Sequence, residues 1–308
     1  MKGSPSLGAV LYIMSFRLFT DTSANLPAPL LEKHGVGVVP FHYVFKGVER
    51  VCLDTEAFKD APAEEYYAAL KSGERVSTSQ ITPEEYKEYF EPALKNGEDI
   101  LFISMSSGIS NSYNSSVIAA EELREKYPER KIRTVDTLAA SLGEGIMVLR
   151  AIEMMENGAS LDEIADETER RVQSMYQVVL IEDLMHLHRG GRISAPKALL
   201  GTVLGIRPIL KGDEGGHLIV HDKVRGRKKG LARLAEKYSE LVDRKNPITV
   251  GIAYTDCGDD AYALRDMFTE IYAPKEIMVV RYEPVTGSYV GPGTVALFFE
   301  GGDGVRSK

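Results

Sequence analysis

Residues 99–113 read Asp-Ile-Leu-Phe-Ile-Ser-Met-Ser-Ser-Gly-Ile-Ser-Asn-Ser-Tyr, and most of the fold's signature lies in them. Asp99–Met105 is a near-continuous apolar run, the pattern of a strand covered on both faces. A turn of hydroxyls and glycine follows, Ser106–Ser112. Behind it Tyr113, Val117, Ala120 and Tyr127 recur at helical spacing. Strand, small polar turn and helix in that order make the repeating unit of a parallel α/β sheet.

The same alternation extends in both directions. Further strands are predicted at Phe16–Asp21, Gly37–Phe45, Ile132–Asp136, Gln177–Glu182, Leu218–Val224, Ile248–Tyr254, Glu276–Tyr282 and Thr294–Glu300. A helix after Thr82 is well marked, with Thr82 as N-cap, Pro83 at its first position and Glu85 closing a capping box. Tyr86, Tyr89, Phe90, Ala93 and Leu94 form its stripe, and Pro92 should kink or interrupt it. Ser160 and Glu163 form a second box ahead of Leu161, Ile164, Ala165, Thr168 and Val172. Leu231, Leu234, Ala235, Tyr238, Leu241 and Val242 give the clearest amphipathic stripe, and residues 198–204 suggest a helix of small and apolar residues. The first half thus reads β-β-α-β-α-β-α-α. The second carries more strands per helix, and Gly215-Gly216 before Leu218–Val224 suggests antiparallel pairing. We expect an α/β protein of two domains: residues 15–176, and residues 177–302 after a helix ending at Met175.

Length and charge agree with that division. A chain of 308 residues exceeds what one compact core usually needs. Lys plus Arg is 37 and Asp plus Glu 45, a net charge of −8, which argues against a generic nucleic-acid binder. Hydrophobic residues at 44% and charged ones at 27% exclude a disordered chain. The two cysteines, Cys52 and Cys257, have no zinc spacing and fit a reducing compartment. The apolar run Gly8–Met14 is short for a signal peptide and no small-x-small site follows. We expect the functional chain to begin near Met14, with residues 1–13 an upstream extension.

Standard catalytic motifs do not occur: no phosphate-binding GxxxxGK, no GxSxG, no HExxH. Gly143-x-Gly145 has no GxxG continuation and sits in a helical pattern. His186-x-His188 beside Glu182 and Asp183 is poor metal spacing, because residues i and i+2 share a face only on a strand. A partly exposed loop edge is expected there. What does stand out is three hydroxyl-rich turns at strand ends, Thr20–Ser23, Ser77–Gln80 and Ser106–Ser112. Open α/β sheets bind ligands at the carboxyl ends of their strands, where helix N-termini present free N–H groups. Hydroxyls and N–H groups without a lysine suit a carboxylate. Asp21 and Asp136 at strand ends are candidate acids, but aspartates there commonly hold loops by accepting backbone N–H bonds. Residues 223–229 (Lys-Val-Arg-Gly-Arg-Lys-Lys) put five positive charges into seven residues, suited to a phosphate or an acidic partner. Tyr289–Thr294 reads as a glycine-proline turn.

Taken in order, Phe19–Pro27, Thr78-Ser79-Gln80, Ser106–Tyr113, Val135-Asp136-Thr137, Gly190-Gly191-Arg192-Ile193-Ser194, Arg207-Pro208-Ile209-Leu210, Lys223-Val224-Arg225 and Gly291-Pro292-Gly293 resemble the DegV family of bacterial fatty-acid-binding proteins. Each motif alone is weak, but the ordered series spans roughly residues 16–300. The resemblance implies a three-layer α/β/α domain with a mainly parallel sheet and a second α/β domain whose mixed sheet is covered by helices. It implies a long-chain fatty acid in an internal tunnel as the bound ligand and no other cofactor. It further implies a cytoplasmic, non-catalytic carrier in phospholipid metabolism. That carrier would present the carboxylate to a separate ATP-using kinase subunit for acyl-phosphate formation. Nucleic acid is not an expected partner, and transient membrane contact is compatible with the role. By the resemblance Thr78 and Ser107 hold the carboxylate, with Ser110 close by. Arg192 and Arg225 sit near the head group or receive the kinase. The family's histidine ahead of the glycine turn is replaced by Tyr289, whose phenol donates one hydrogen bond but carries no positive charge. The alternatives are an enzyme, or a lipid sensor, acting on a smaller carboxylic acid on the same scaffold.

Overall fold

The computed structural model describes residues 16–53, 62–193, 205–245 and 249–308. The first half contains β1 (Phe16–Asp21), α1 (Ala28–Lys33), β2 (Gly37–Val39), β3 (His42–Phe45), β4 (Val48–Val51), α2 (Ala63–Lys71) and β5 (Val76–Ser79). It continues with α3 (Pro83–Lys95), β6 (Asp99–Ser104), α4 (Ser112–Lys126), β7 (Ile132–Asp136), α5 (Leu142–Glu156) and α6 (Leu161–Arg171). The second half contains β8 (Met175–Leu180), α7 (Met185–Arg189), β9 (Ile206–Gly212), β10 (Leu218–Arg225), α8 (Arg227–Leu241) and β11 (Thr249–Tyr254). α9 (Gly258–Ile271), β12 (Glu276–Arg281), α10 (Pro284–Val290) and β13 (Val295–Glu300) complete it.

Three sheets form from these strands. A parallel sheet runs β2-β1-β6-β7, and a mixed sheet runs β10-β9-β8-β13-β11-β12. A small antiparallel sheet, β4-β3-β5, stands apart from both. This is the α/β class expected, with a parallel sheet and a mixed sheet. β6 is buried from Ile100 to Ser104, which is why its apolar run is unbroken. Both capping boxes form as read: Thr82 N donates to Glu85 Oε2 at 2.7 Å, and Ser160 N donates to Glu163 Oε2 at 2.8 Å.

α5 lies between the two large sheets. Leu18, Leu101 and Ile103 of the parallel sheet and Val179, Ala296 and Phe298 of the mixed sheet close around its Leu142, Ile146 and Ala151 in one continuous core. The parallel sheet's other face, with Ile100 and Phe102, packs on Tyr86 and Phe90 of α3 and Ala119 and Ala120 of α4. The outer face of the mixed sheet, with Val178, Leu180 and Leu297, is covered by α8 and α9 through Leu234, Tyr238, Leu264 and Phe268. Successive layers are therefore helix, sheet, helix, sheet, helix.

Winding reverses between β1 and β6, so the crevice at their carboxyl ends is the sheet's switch point. Asp21 fills it, accepting from Ser23 N at 2.8 Å, Met105 N at 3.1 Å and Ser104 Oγ at 3.3 Å. Asp136 does the equivalent at β7, accepting from Leu138 N at 2.9 Å and Ser107 N at 3.2 Å. Both aspartates hold loops.

Several sequence expectations are corrected. Gly37–Phe45 is two strands in different sheets, because Pro40 has no N–H to continue a ladder. Ser77–Ser79 is no turn but part of β5, paired with β3. α3 runs through Pro92: burial of Tyr86, Phe90, Ala93 and Leu94 outweighs one lost hydrogen bond. α4 buries the small residues Ser112, Ser115, Ser116, Ala119 and Ala120 together with Leu123, rather than the face of Tyr113 and Val117, because small side chains let it sit close. Met175 opens β8 instead of ending a helix. His186 and His188 lie on the short helix α7, and Tyr289 lies on α10 rather than in a turn. β9 contains Arg207–Leu210, a motif segment for which no strand is predicted. Residues 1–13, Ser194 and the predicted helix 198–204 fall outside the described residues.

Candidate functional site

Where the carboxyl ends of β6 and β7 face the mixed sheet, a cavity of about 230 Å³ opens. Its apolar wall comes from Met105, Val179, Leu187, Leu218, Val285 and Phe298. Thr78, Ser110, Arg192 and Tyr289 line it as well. These four predicted residues, from β5, the loop after β6, the turn after α7, and α10, are thus brought to one cavity. Ser107 and Arg225 are not among its lining residues. Ser107 turns its amide to Asp136, and Arg225 is exposed at the end of β10.

Each polar member is held from behind. Thr78 Oγ1 and the Tyr289 hydroxyl are hydrogen-bonded at 2.6 Å. The Arg192 guanidinium lies over the Tyr289 ring, 4.5 Å from its centroid, and donates to Ile109 O at 3.1 Å and Gly190 O at 2.6 Å. Ser110 Oγ accepts from Ser112 N at 3.2 Å, and Ser112 Oγ accepts from Ile81 N at 3.2 Å. That chain fastens the loop after β6 to the residues following β5. α10 starts at Glu283, whose carboxylate accepts from Thr286 N at 2.7 Å. A Cβ on Gly190 would stand 2.4 Å from Tyr289 Cδ1, so only glycine there leaves room for the ring.

The site joins a neutral hydroxyl pair, a serine hydroxyl and one guanidinium at the edge of an apolar hollow. Such a set can orient a carboxylate by hydrogen bonds and one positive charge. Among the described residues lining it, no nucleophile has a base in hydrogen-bond reach, as covalent catalysis would need. Among the described residues, no cluster of three or more His, Cys, Asp or Glu is arranged to hold a metal ion. No described helix is long and apolar enough to cross a membrane. A larger hollow, about 770 Å³, has Asp21, Cys52, Arg281 and Glu283 in its wall. Its guanidinium is engaged with Glu64 at 2.7 Å, and three acidic residues, Asp21, Glu32 and Glu283, line it, so it is the poorer host for an anion.

Two contributors escape motif reading. Gln177 and Ser141 also line the cavity and are 3% and 1% exposed. Neither stands out in the sequence, since a glutamine in an apolar strand and a serine before a helix have ordinary structural uses.

A family model described as uncharacterised proteins of the DegV family matches residues 15–301. A DegV domain-containing protein of Clostridium perfringens is 37% identical over 287 residues, covering 93% of this chain and 97% of that protein. Among solved structures, one described as fatty acid binding of a DegV family protein from Thermus thermophilus superposes with a TM-score of 0.84. It shares 30% identity and covers 94% of this chain and 100% of its own. A Thermotoga maritima protein described as revealing a fatty acid binding function gives 0.80 at 26% identity, covering 94% and 99%.

Proposed function

The chain belongs to the DegV family, and we propose that it is a fatty-acid carrier whose ligand lies with its acyl chain in the 230 Å³ cavity and its carboxylate at Thr78, Ser110, Tyr289 and Arg192. The observation that carries this reading is the 2.6 Å Thr78–Tyr289 hydroxyl pair, capped by Arg192, at the edge of an apolar cavity. Relatives described as fatty-acid-binding support it.

The energetics divide the labour. Removing a sixteen-carbon chain from water contributes up to roughly 12 kcal/mol, at about 0.8 per methylene. A hydrogen bond to the charged carboxylate adds only about 1.5–3 kcal/mol net. The apolar wall then supplies affinity, and the hydroxyls and Arg192 supply orientation. A carrier needs that division, because the carboxylate must stay presentable while the chain is held. We assign the protein no turnover of its own. It works in the cytoplasm and hands the carboxylate to a separate ATP-using kinase subunit, which forms the acyl phosphate used in phospholipid synthesis. Arg225 and the basic start of α8 form the partner-facing surface, and any membrane contact is transient.

Native mass spectrometry of the purified protein, followed by denaturing lipid extraction, tests the binding. The expected result is one co-purified acid of roughly 250–300 Da, which burial at about 0.8 kcal/mol per methylene retains through purification. A clean apoprotein that takes up no added fatty acid overturns it. A cavity below the usual range of about 300–1,000 Å³ favours, as second reading, a shorter acid, and the same mass identifies it.

A further inference from the structure

The Thr78–Tyr289 pair joins a strand to a helix that belongs to no common sheet, so its spacing depends on what holds β5 and α10 together. Two adjacent tyrosines of α2 reach both. Successive helix residues point about 100° apart, so Tyr66 and Tyr67 leave α2 in different directions, and both are buried. The Tyr67 hydroxyl donates to Tyr282 O at 2.8 Å, and the Tyr66 hydroxyl donates to Pro284 O at 2.7 Å. Those two carbonyls flank Glu283, the residue that caps α10. A Cβ on Gly287 would run into the Tyr67 hydroxyl, so α10 lies directly on that phenol two residues before Tyr289.

The same pair supports the other half of the site. The Tyr66 ring stands edge-on to Tyr43, with centroids 6.3 Å apart, and 4.9 Å from Phe45. Tyr43 is the residue of β3 that pairs with Thr78 of β5. Tyr66 and Tyr67 themselves meet edge to face at 5.2 Å. Neither is among the cavity's lining residues, so neither touches the ligand. Packing alone would need only the rings. Two buried hydroxyls aimed at the carbonyls on either side of one cap instead fix where α10 starts, and hydrogen-bonding sets of this kind tolerate only about 0.5 Å of displacement. We propose that Tyr66 and Tyr67 are positioning residues of the carboxylate site, setting α10 against β5 so that the Thr78 and Tyr289 hydroxyls meet one head group. This rests on the fatty-acid reading above and deepens it.

The test uses the full-length, delipidated protein and two ligands with the same chain, palmitic acid and hexadecan-1-ol, with bound ligand counted by native mass spectrometry. The wild type is expected to prefer the acid at least about tenfold. In Tyr66→Phe and in Tyr67→Phe the acid's affinity should fall about fivefold while the alcohol's stays within about twofold, because the chain's surroundings are unchanged. Tyr238→Phe is the control. It removes the same kind of bond, a buried tyrosine donating to a backbone carbonyl (Tyr272 O, 3.1 Å), on the outer face of the mixed sheet, and should leave the preference as it is. Either α2 variant decides the matter if the other does not fold. A preference that survives in both, a parallel loss of both ligands, or an equal drop in Tyr238→Phe overturns the inference and leaves the carrier reading intact. A wild type that binds neither ligand overturns the carrier reading, and this inference with it.

Discussion

The hydroxyls of Thr78 and Tyr289 meet at 2.6 Å, joining an edge strand of the small sheet to a helix 211 positions further along the chain. Neither hydroxyl would be placed without the other, so their contributions to carboxylate binding should be coupled. Thr78→Val and Tyr289→Phe are each expected to weaken fatty-acid binding about three- to tenfold. The double variant should lose less than the product of the two losses. Calorimetric titration of all four proteins measures the coupling. Strictly multiplicative losses would mean that the pair does not act as a unit on the ligand.

Replacing Tyr289 by histidine puts a titratable imidazole where this chain carries a phenol. An imidazolium attracts the carboxylate only while protonated. Binding to Tyr289→His should therefore tighten about five- to tenfold as the pH falls through roughly 6.5, while the wild type stays flat from about pH 8 to 6. Dissociation constants at four pH values decide this. A flat profile in the variant would place the ring away from the carboxylate.

Gly190 supports the same ring from beneath. Its φ of −73° is ordinary, so alanine brings no backbone strain, yet the new Cβ would stand 2.4 Å from Tyr289 Cδ1. Gly190→Ala should displace the ring and its stacked Arg192. We expect about a tenfold loss of carboxylate affinity, with a stability change near 1 kcal/mol. Unchanged binding together with a large loss of stability would make Gly190 a packing residue alone.

How far the sequence carries can be judged from these residues. β6 and the capped helices were legible because burial on both faces and paired capping side chains leave local marks. The hydroxyls of Ser106–Ser112 mark the loop between β6 and α4, but Ser110 rather than Ser107 lines the cavity, and the Ser107 amide turns to Asp136. β5 was hidden because Val-Ser-Thr-Ser reads as a turn, and only pairing with β3 makes it a strand. α10 was hidden because its cap, Glu283, and its Pro284 start precede a segment rich in glycine and β-branched residues. Gln177 and Ser141 reach the cavity wall only through the packing of β8 and the loop before α5, which no local pattern records.

Beneath the switch point, Glu144 of α5 is fully buried and accepts from Thr20 Oγ1 at 2.8 Å and from Ser23 Oγ. Burial, and then the nearby Asp21 carboxylate, push its carboxyl well above the usual range, against the two hydroxyl donors. A group whose folded value is raised holds its proton more tightly in the native state. Its contribution is full below the unfolded value near about 4.3 and is lost as pH rises towards the folded one. Glu144→Gln, which mimics the protonated form, should therefore flatten the decline in stability above pH 5 and gain on the order of 1 kcal/mol at pH 8. Urea unfolding from pH 5 to 8 reads it. A variant that loses stability equally at every pH would show that the group is not the titrating one.

Arg306 closes the molecule from its far end. Almost fully buried, it donates to the carbonyls of Met175 at 2.9 Å, Leu138 at 2.7 Å and Asp213 at 3.2 Å. Those carbonyls belong to the start of β8, the loop after β7 and the turn before β10, so one side chain ties the parallel sheet's loop to two parts of the mixed sheet. Leu138 itself is left-handed at φ 51, a strained residue that needs such an anchor, and Ala140 and Ser141 of the cavity wall follow directly. Arg306→Ala strands four acceptors, the Thr137 carbonyl included, and should cost about 3–5 kcal/mol, against less than about 0.5 for the half-exposed Arg265→Ala. Arg306→Lys should recover only part, because a single ammonium cannot reproduce the planar fork. Chemical unfolding gives the stabilities, and fatty-acid titration of the surviving folded protein gives the second readout. If the anchor argument holds, Arg306→Lys binds acid more weakly than its residual stability alone requires, because the loosened loop carries the cavity wall with it.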